Sequence, residues 1–330
     1  MNTIALKNNP PNDKTLISLF AGCGGSSLGY KAIGFDIRLA VEWDKVAASI
    51  YRDNFPATTL YEGDINKLDI SEALHLTELK QGELDILDGS PPCQGFSGAG
   101  NRYFADARNA LFHEYVRLLR GMMPKAFIME NVVGLAMGKM KILFSEMTRA
   151  LQDSGYKVAC RKLNAWWYGV PQSRERLIWV GIRNDIEGEP SHPQPMLRQP
   201  VSVRQALRTS LINTAPGLAH NDWNTTARTL RAAVIPQITI APSYSFPQNA
   251  VANGQNINKP SQALAAIRPP TLVEGEVIRP ITIEEAKILQ SFPTWFRIPK
   301  YKYIGNSVPP LMAQAIGEHV AGMLDGANAD

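Results

Sequence analysis

Hydrophobic runs and helical spacings alternate along the first half of the chain. The apolar run "TLISLF" (residues 15–20) is short and flanked by turn residues, which predicts a buried strand. "AGCGGSSLGYKAIGF" follows, with Leu28, Ala32 and Ile33 at helical spacing behind a glycine turn. The same alternation continues downstream. Strands are predicted at 37–44, 58–65, 84–90, 126–131, 156–164 and 174–182. Helices are predicted at 45–55, near 110–120 and near 140–154. Strands alternating with helices predict an α/β fold, a doubly wound and mostly parallel sheet. From 188 to 280 the texture changes to Pro, Asn, Gln and Ser with little periodicity, and 249–262 reads as a loop or turn cluster. Regularity returns with "TIEEAKILQSF", where Thr282 and Glu285 have capping-box spacing, and with a final helix after Pro309 and Pro310. The expected organisation is one α/β domain, residues 1–187 and 279–330, interrupted by a smaller irregular domain, 188–278.

Composition narrows the classes. The chain has 330 residues, 45% of them apolar and 19% charged, as in a globular protein with a sizeable core. No apolar run approaches membrane-spanning length, and the N-terminal stretch lacks the apolar core of a signal peptide, so no membrane partner and a cytoplasmic location are expected. Cys23, Cys93 and Cys160 are too scattered for a disulfide framework, and there is no CxxC pair; no metal site is expected. Net charge is only +4, but residues 190–270 hold seven Arg and Lys residues against one acid, Asp222. That local excess suits a polyanionic partner.

The glycine turn after the first strand is a candidate ligand cradle, because glycine lets backbone N–H groups approach a ligand at a helix N-terminus. Gly22 and Gly24 fit the start of a dinucleotide fingerprint, but Ser27 stands at its third glycine. A nicotinamide oxidoreductase therefore fits poorly. Glu42, at the end of the second strand, is placed to grip ribose hydroxyls. Asp64, at the end of the third, is placed to accept from an adenine amine, and Trp43 to lie against the purine. An adenosine ligand without a pyrophosphate fits that set, and S-adenosyl-L-methionine is the commonest such cofactor.

Chemistry-bearing residues gather at the ends of later strands. Cys93 follows two prolines in "LDGSPPCQGFSG", so it begins a loop rather than a helix. Glu130 ends the strand "AFIMEN", and "RER" puts Arg174 and Arg176 two residues apart, on one face if the segment is a strand. Thiol, carboxyl and cation form a set able to attack an electron-poor ring. Taken singly, each has a plain structural alternative: an inert buried thiol, a hydrogen-bonding acid, a surface salt bridge. His192 and His220 lack metal-ligand spacing, and Trp166 and Trp167 read as core or lobe-interface residues.

In order, "FAGCGGSSLGY", "EWD", "GDI", "GSPPCQGFS", "DARNALF", "MENVVG", "QSRERLIWVGIR" and "YIGNSVPP" make the chain resemble the C5-cytosine-specific DNA methyltransferases. The matches span 20–183 and 279–320. The resemblance implies an S-adenosylmethionine-dependent enzyme of Rossmann-like fold that methylates cytosine C5 in a specific duplex DNA sequence. It implies Cys93 as the nucleophile on C6, Glu130 as the acid at N3 and the exocyclic amine, Arg176 at the cytosine O2, and Arg174 near the phosphate. It implies cofactor contacts from Phe20, Glu42, Trp43, Asp64, Ile65, Pro92, Leu111, Asn306 and Ser307, besides the turn at Gly22 and Gly24. Read on their own, 306–308 are a simple turn and helix N-cap. Base flipping is implied, with the glycine-rich stretch after Cys93 resembling the loop that closes over the flipped nucleotide, and the basic insert standing where target recognition lies. A monomer is expected, with a cognate restriction endonuclease as functional rather than physical partner.

Two other readings stay open at this point. A tRNA cytosine-5 methyltransferase would carry the same motifs, although the insert has no Cys-Phe-Thr block. A non-catalytic nucleic-acid-binding relative would be expected to have lost Cys93, Glu130 or the glycine turn, and all are present.

Overall fold

The computed structural model describes residues 9, 11–92, 110–197, 201–203, 206–207, 228–229, 261–262, 271–274 and 277–326. They fall into two compact units. One comprises the described residues of Leu6–Leu163, Glu175–Gln194 and Ala313–Asp330, the other those of Asn164–Arg174 and Pro195–Met312.

The first unit is built on a seven-stranded sheet. Its strands are β1 (Thr15–Leu19), β2 (Asp36–Glu42), β3 (Thr59–Glu62), β4 (Ile86–Gly89), β5 (Ala126–Val132), β6 (Tyr156–Asn164) and β8 (Glu175–Arg183), in the order β3-β2-β1-β4-β5-β8-β6. β1 pairs in parallel with both β2 and β4, β2 with β3, and β4 with β5. β8 runs antiparallel to β5, with Val132 opposite Arg176 and Ala126 opposite Ile182. Central β1 and β4 are buried almost throughout because both faces are covered, whereas no residue of edge strand β3 is fully buried.

Four crossover helices accompany these strands: α1 (Gly25–Ala32), α2 (Lys45–Asn54), α4 (Ala110–Met122) and α5 (Lys141–Gln152). Strand order reverses between β1 and β4, so crossovers of one hand send α1 and α2 to one face and α4 and α5 to the other. On the latter face Phe112, Tyr115, Leu119, Leu143, Met147 and Leu151 pack on Ile17, Leu87, Phe127 and Trp179. A further helix, α3 (Ile70–Thr77), is absent from the sequence expectation. Its N-cap is Asp69, whose carboxylate accepts from the Ser71 N–H.

The second unit holds β7 (Gln172–Ser173), β9 (Arg228–Thr229), β10 (Ser261–Gln262), β11 (Thr271–Glu274) and β12 (Val277–Pro280). β7 pairs in parallel with β10, and β11 lies between β12 and β9 in an antiparallel ribbon. The stretch expected to be irregular therefore contains strands. They are two to four residues long, too short to print a period. α6 (Ile283–Leu289) opens with the expected reciprocal cap. The Thr282 hydroxyl accepts from the Glu285 N–H at 3.1 Å, and the Glu285 carboxylate accepts from the Thr282 N–H at 2.8 Å. α7 (Tyr301–Asn306) follows, and then α8 (Pro310–Gly326), whose residues from Ala313 onward belong to the sheet unit. There Gly317 lies against Tyr30 of α1, so close that a Cβ would sit 2.8 Å from its ring. Among the described residues, no helix is long and apolar enough to cross a membrane.

Candidate active site

At the switch point, the chain leaves the carboxyl ends of β1 and β4 in two different turns. The β1 turn is left-handed at three places: Phe20 at φ 56°, Gly22 at 57° and Gly24 at 91°. Gly24 caps α1, and a Cβ there would collide with Phe55 at 2.3 Å. The position of a Cβ on Gly22, by contrast, is open space.

Glu42 ties this turn to the end of β2. Its Oε2 accepts from the Gly22 N–H at 2.7 Å, while Oε1 accepts from the Trp43 and Asp44 N–H groups at 3.0 and 2.8 Å. Burial raises its pKa, and the three N–H bonds oppose that rise. A carboxylate has about four acceptor sites, so one is left for a ligand hydroxyl. Trp43 stands beside it, 74% exposed, a flat apolar surface with nothing packed on most of it. At the end of β3 the exposed Asp64 accepts from the Asn66 N–H and side-chain amide, which holds its pKa below the ordinary value. Ile65 beside it is buried, and its carbonyl accepts from Arg117. Leu111, on the first turn of α4, packs partly buried against the core. Two carboxylate acceptors, an open aromatic face and a glycine turn suit an adenosine moiety; the residues present fit S-adenosylmethionine.

Beyond β4, Gly89 leads to Ser90, Pro91 and Pro92. Cys93 and residues 94–109 lie outside the described residues. The route toward Cys93 is nonetheless held: the buried Asn131 amide donates to the Pro91 carbonyl at 3.1 Å. Glu130, the neighbour of Asn131 on β5, meets Arg176 of β8, with Oε1 2.6 Å from Nε and both side chains mostly sheltered. Antiparallel pairing makes this contact, because it brings the start of β8 alongside the end of β5. Glu130 Oε2 has no partner among the described residues. Burial pushes the Cys160 thiol up to about 12, so it is not poised as a nucleophile at neutral pH; Cys23 is buried.

In the second unit Arg174 lies in the one-residue break between β7 and β8, so strand alternation does not orient it. It is buried, and its Nη1 donates to the Gly305 carbonyl at 2.9 Å. Gln172 donates to the Gln290 side chain at 2.6 Å, and Gln290 donates to the Ser307 carbonyl at 2.7 Å. This buried amide chain fastens the segment before Arg174 to the Asn306–Ser307 turn. The Ser307 hydroxyl donates to the Tyr303 carbonyl of α7, so it ties the turn to the helix before it. Exposed Asn306 ends α7.

Sequence reasoning missed Asn131, the Gln172–Gln290 pair and Asp88. Asp88 is a buried acid inside β4, and a lone carboxyl in an apolar strand was the available signal. Among the described residues, no cluster of His, Cys, Asp and Glu could hold a metal ion.

Comparison with known proteins agrees with this layout. A family model for C-5 cytosine-specific DNA methylases matches residues 14–322. The chain is 33% identical to the Type II methyltransferase M.XorII of Xanthomonas oryzae pv. oryzae, over 92% of this chain and 84% of that protein. It is 34% identical to the Type II methyltransferase M1.HphI of Haemophilus parahaemolyticus, over 94% and 87%. A crystal structure described as a DNA modification methyltransferase encoded within an E. coli prophage superposes with a TM-score of 0.72 at 25% identity, covering 95% of this chain and all of that one. The sheet, the residues gathered at its switch point and these matches along almost the whole length agree: the chain belongs to the C-5 cytosine-specific DNA methylase family and is a DNA (cytosine-5-)-methyltransferase.

Proposed function

We propose that the enzyme methylates C5 of a cytosine flipped out of a specific duplex DNA sequence, through a covalent bond between Cys93 and C6. The observation that carries this reading is the Glu130–Arg176 pair, set one residue from the amide that holds the Pro91 carbonyl. Acid, cation and the approach to the thiol thus meet at one sheet edge.

S-adenosylmethionine, held by Glu42, Asp64, Trp43 and the glycine turn, supplies the methyl group as a sulfonium. The Cys93 thiolate adds to C6, and the electron pair of the C5–C6 bond moves to C5. Glu130 engages N3 and the exocyclic amine through the oxygen that Arg176 does not occupy, and Arg176 engages O2, so charge on the ring is stabilised as it develops. After C5 is alkylated, a base takes its proton and the C6–S bond breaks, returning the thiolate. A stacked base cannot offer C6 to a thiol, and flipping costs a few kcal/mol of unstacking. In this reading residues 188–278 recognise the target, 1–187 and 279–330 carry the chemistry, and the chain acts as a monomer beside a cognate endonuclease.

Duplex DNA carrying 5-fluorocytosine at the target site tests the step directly. With S-adenosylmethionine the wild type should form a denaturation-resistant adduct, because fluorine cannot leave as a proton would, and Cys93→Ser should form none. An active wild type that leaves a clean gel would overturn the covalent mechanism.

A further inference from the structure

Asp88 occupies a place where an apolar residue would be expected. All four residues of β4 are buried, and Asp88 is 4% exposed. Its Oδ1 accepts from the Tyr30 hydroxyl at 2.9 Å, and its Oδ2 from the Ser18 hydroxyl at 3.3 Å; the Ser26 hydroxyl bonds it too. Ser18 lies on β1. Ser26 and Tyr30 lie one turn apart on α1, directly behind the glycine turn. The other ionisable groups acting around this cluster are Tyr51 of α2, Tyr115 of α4 and Glu130 of β5, which bring no positive charge.

A buried carboxylate held by hydroxyls alone is an expensive arrangement. What it joins is specific. Asp88 is five residues before Cys93, on the strand whose exit is further fixed by Gly89, where a Cβ would meet Tyr115 at 2.8 Å. Its partners belong to the strand and helix on either side of the glycine turn. Hydroxyls both donate and accept. An ionised Asp88 accepts from all three, whereas a protonated one donates once and obliges a hydroxyl to turn round.

We propose that Asp88 is a positioning residue that couples the glycine turn to the strand that leads toward Cys93, its proton state setting how firmly the turn holds the methyl donor. The proposal rests on the reading of that turn as the cofactor side. Burial, the largest influence, pushes the Asp88 carboxyl up to about 7, Glu130 acts in the same direction, and the three hydroxyls oppose both. The exchange therefore falls in the neutral range.

Equilibrium binding of S-adenosylmethionine to the full chain without DNA, between about pH 5.5 and 8.5, tests it, since the groups that engage the base are then silent. The wild type should lose affinity by about fivefold or more as pH falls through one ionisation near neutrality. Asp88→Asn should bind with a flat pH profile. Tyr30→Phe removes a donor to the ionised form and should move the inflection to higher pH; it keeps the carboxyl and decides the matter if Asp88→Asn does not fold. A wild-type inflection retained in Asp88→Asn, or left unmoved in Tyr30→Phe, would overturn the coupling. Tight but pH-flat binding by the wild type would overturn the coupling alone, whereas no binding at any pH would remove the cofactor reading and the coupling together.

Discussion

A carboxylate and a guanidinium 2.6 Å apart, both mostly sheltered, attract more strongly than the same pair on open surface. Replacing Glu130 by Gln keeps the shape and removes the charge that opposes Arg176. Methyl transfer by Glu130→Gln should fall by about a hundredfold or more, read as the single-turnover rate on duplex DNA; a wild-type rate would exclude the role given to Glu130. The buried acid of β4 acts on stability instead. Its folded value of about 7 lies above the ordinary 3.8. Between those two, the folded chain keeps a proton that the unfolded chain has released, so this group's contribution to stability falls as pH rises through the window. Asp88→Asn should lose that slope, visible as a flatter dependence of Tm on pH between about 5 and 7. Glu130 and Arg176 were both legible as candidates from motif resemblance, but their pairing was not, because no local pattern says which strand neighbours which. Asp88 hid in plain view within "LDGSPPC", where one acid among apolar residues is easily read as part of the turn.

Elements declared themselves in proportion to their length. The longer strands of the large sheet and helices such as α4 and α8 carry enough residues to show a period of two or 3.6, while the four-residue β3 and β4 were located from their apolar residues and the turn residues around them. Strands β9 to β12 are too brief for such a period, helix α3 was not located, and the reversed direction of β8 depends on a pairing that only the folded chain reveals. End signals did better. The capping box of α6 was readable, and α2 has a comparable lock in Asp44, whose carboxylate accepts from the Val46 and Ala47 N–H groups at 2.9 and 3.1 Å. Asp44→Ala should cost about 1 kcal/mol in urea unfolding, since two N–H groups at the start of α2 lose their partner. No shift of the midpoint would mean that water replaces the cap without loss.

Across the whole chain, charge is distributed unevenly. Residues 190–270 carry a net +6, so the rest of the molecule sums to −2. Most of that stretch lies outside the described residues. Each phosphate neutralised by Arg or Lys releases a counterion, so DNA affinity should fall steeply with salt, by about a thousandfold between 50 and 200 mM if six phosphates are engaged. A flat dependence would place the duplex elsewhere. The alternation of strands and helices foretold the α/β layout; any base recognition was beyond periodicity, since it rests on single side chains and has no repeat.

Glu42 holds the Gly22 amide and those of its own turn through bonds made within the chain itself. The disorder surrendered to shape that bend is thus surrendered when the chain folds, not when a small molecule arrives. The guest then meets a finished mould, and the entropy lost on capture is chiefly its own.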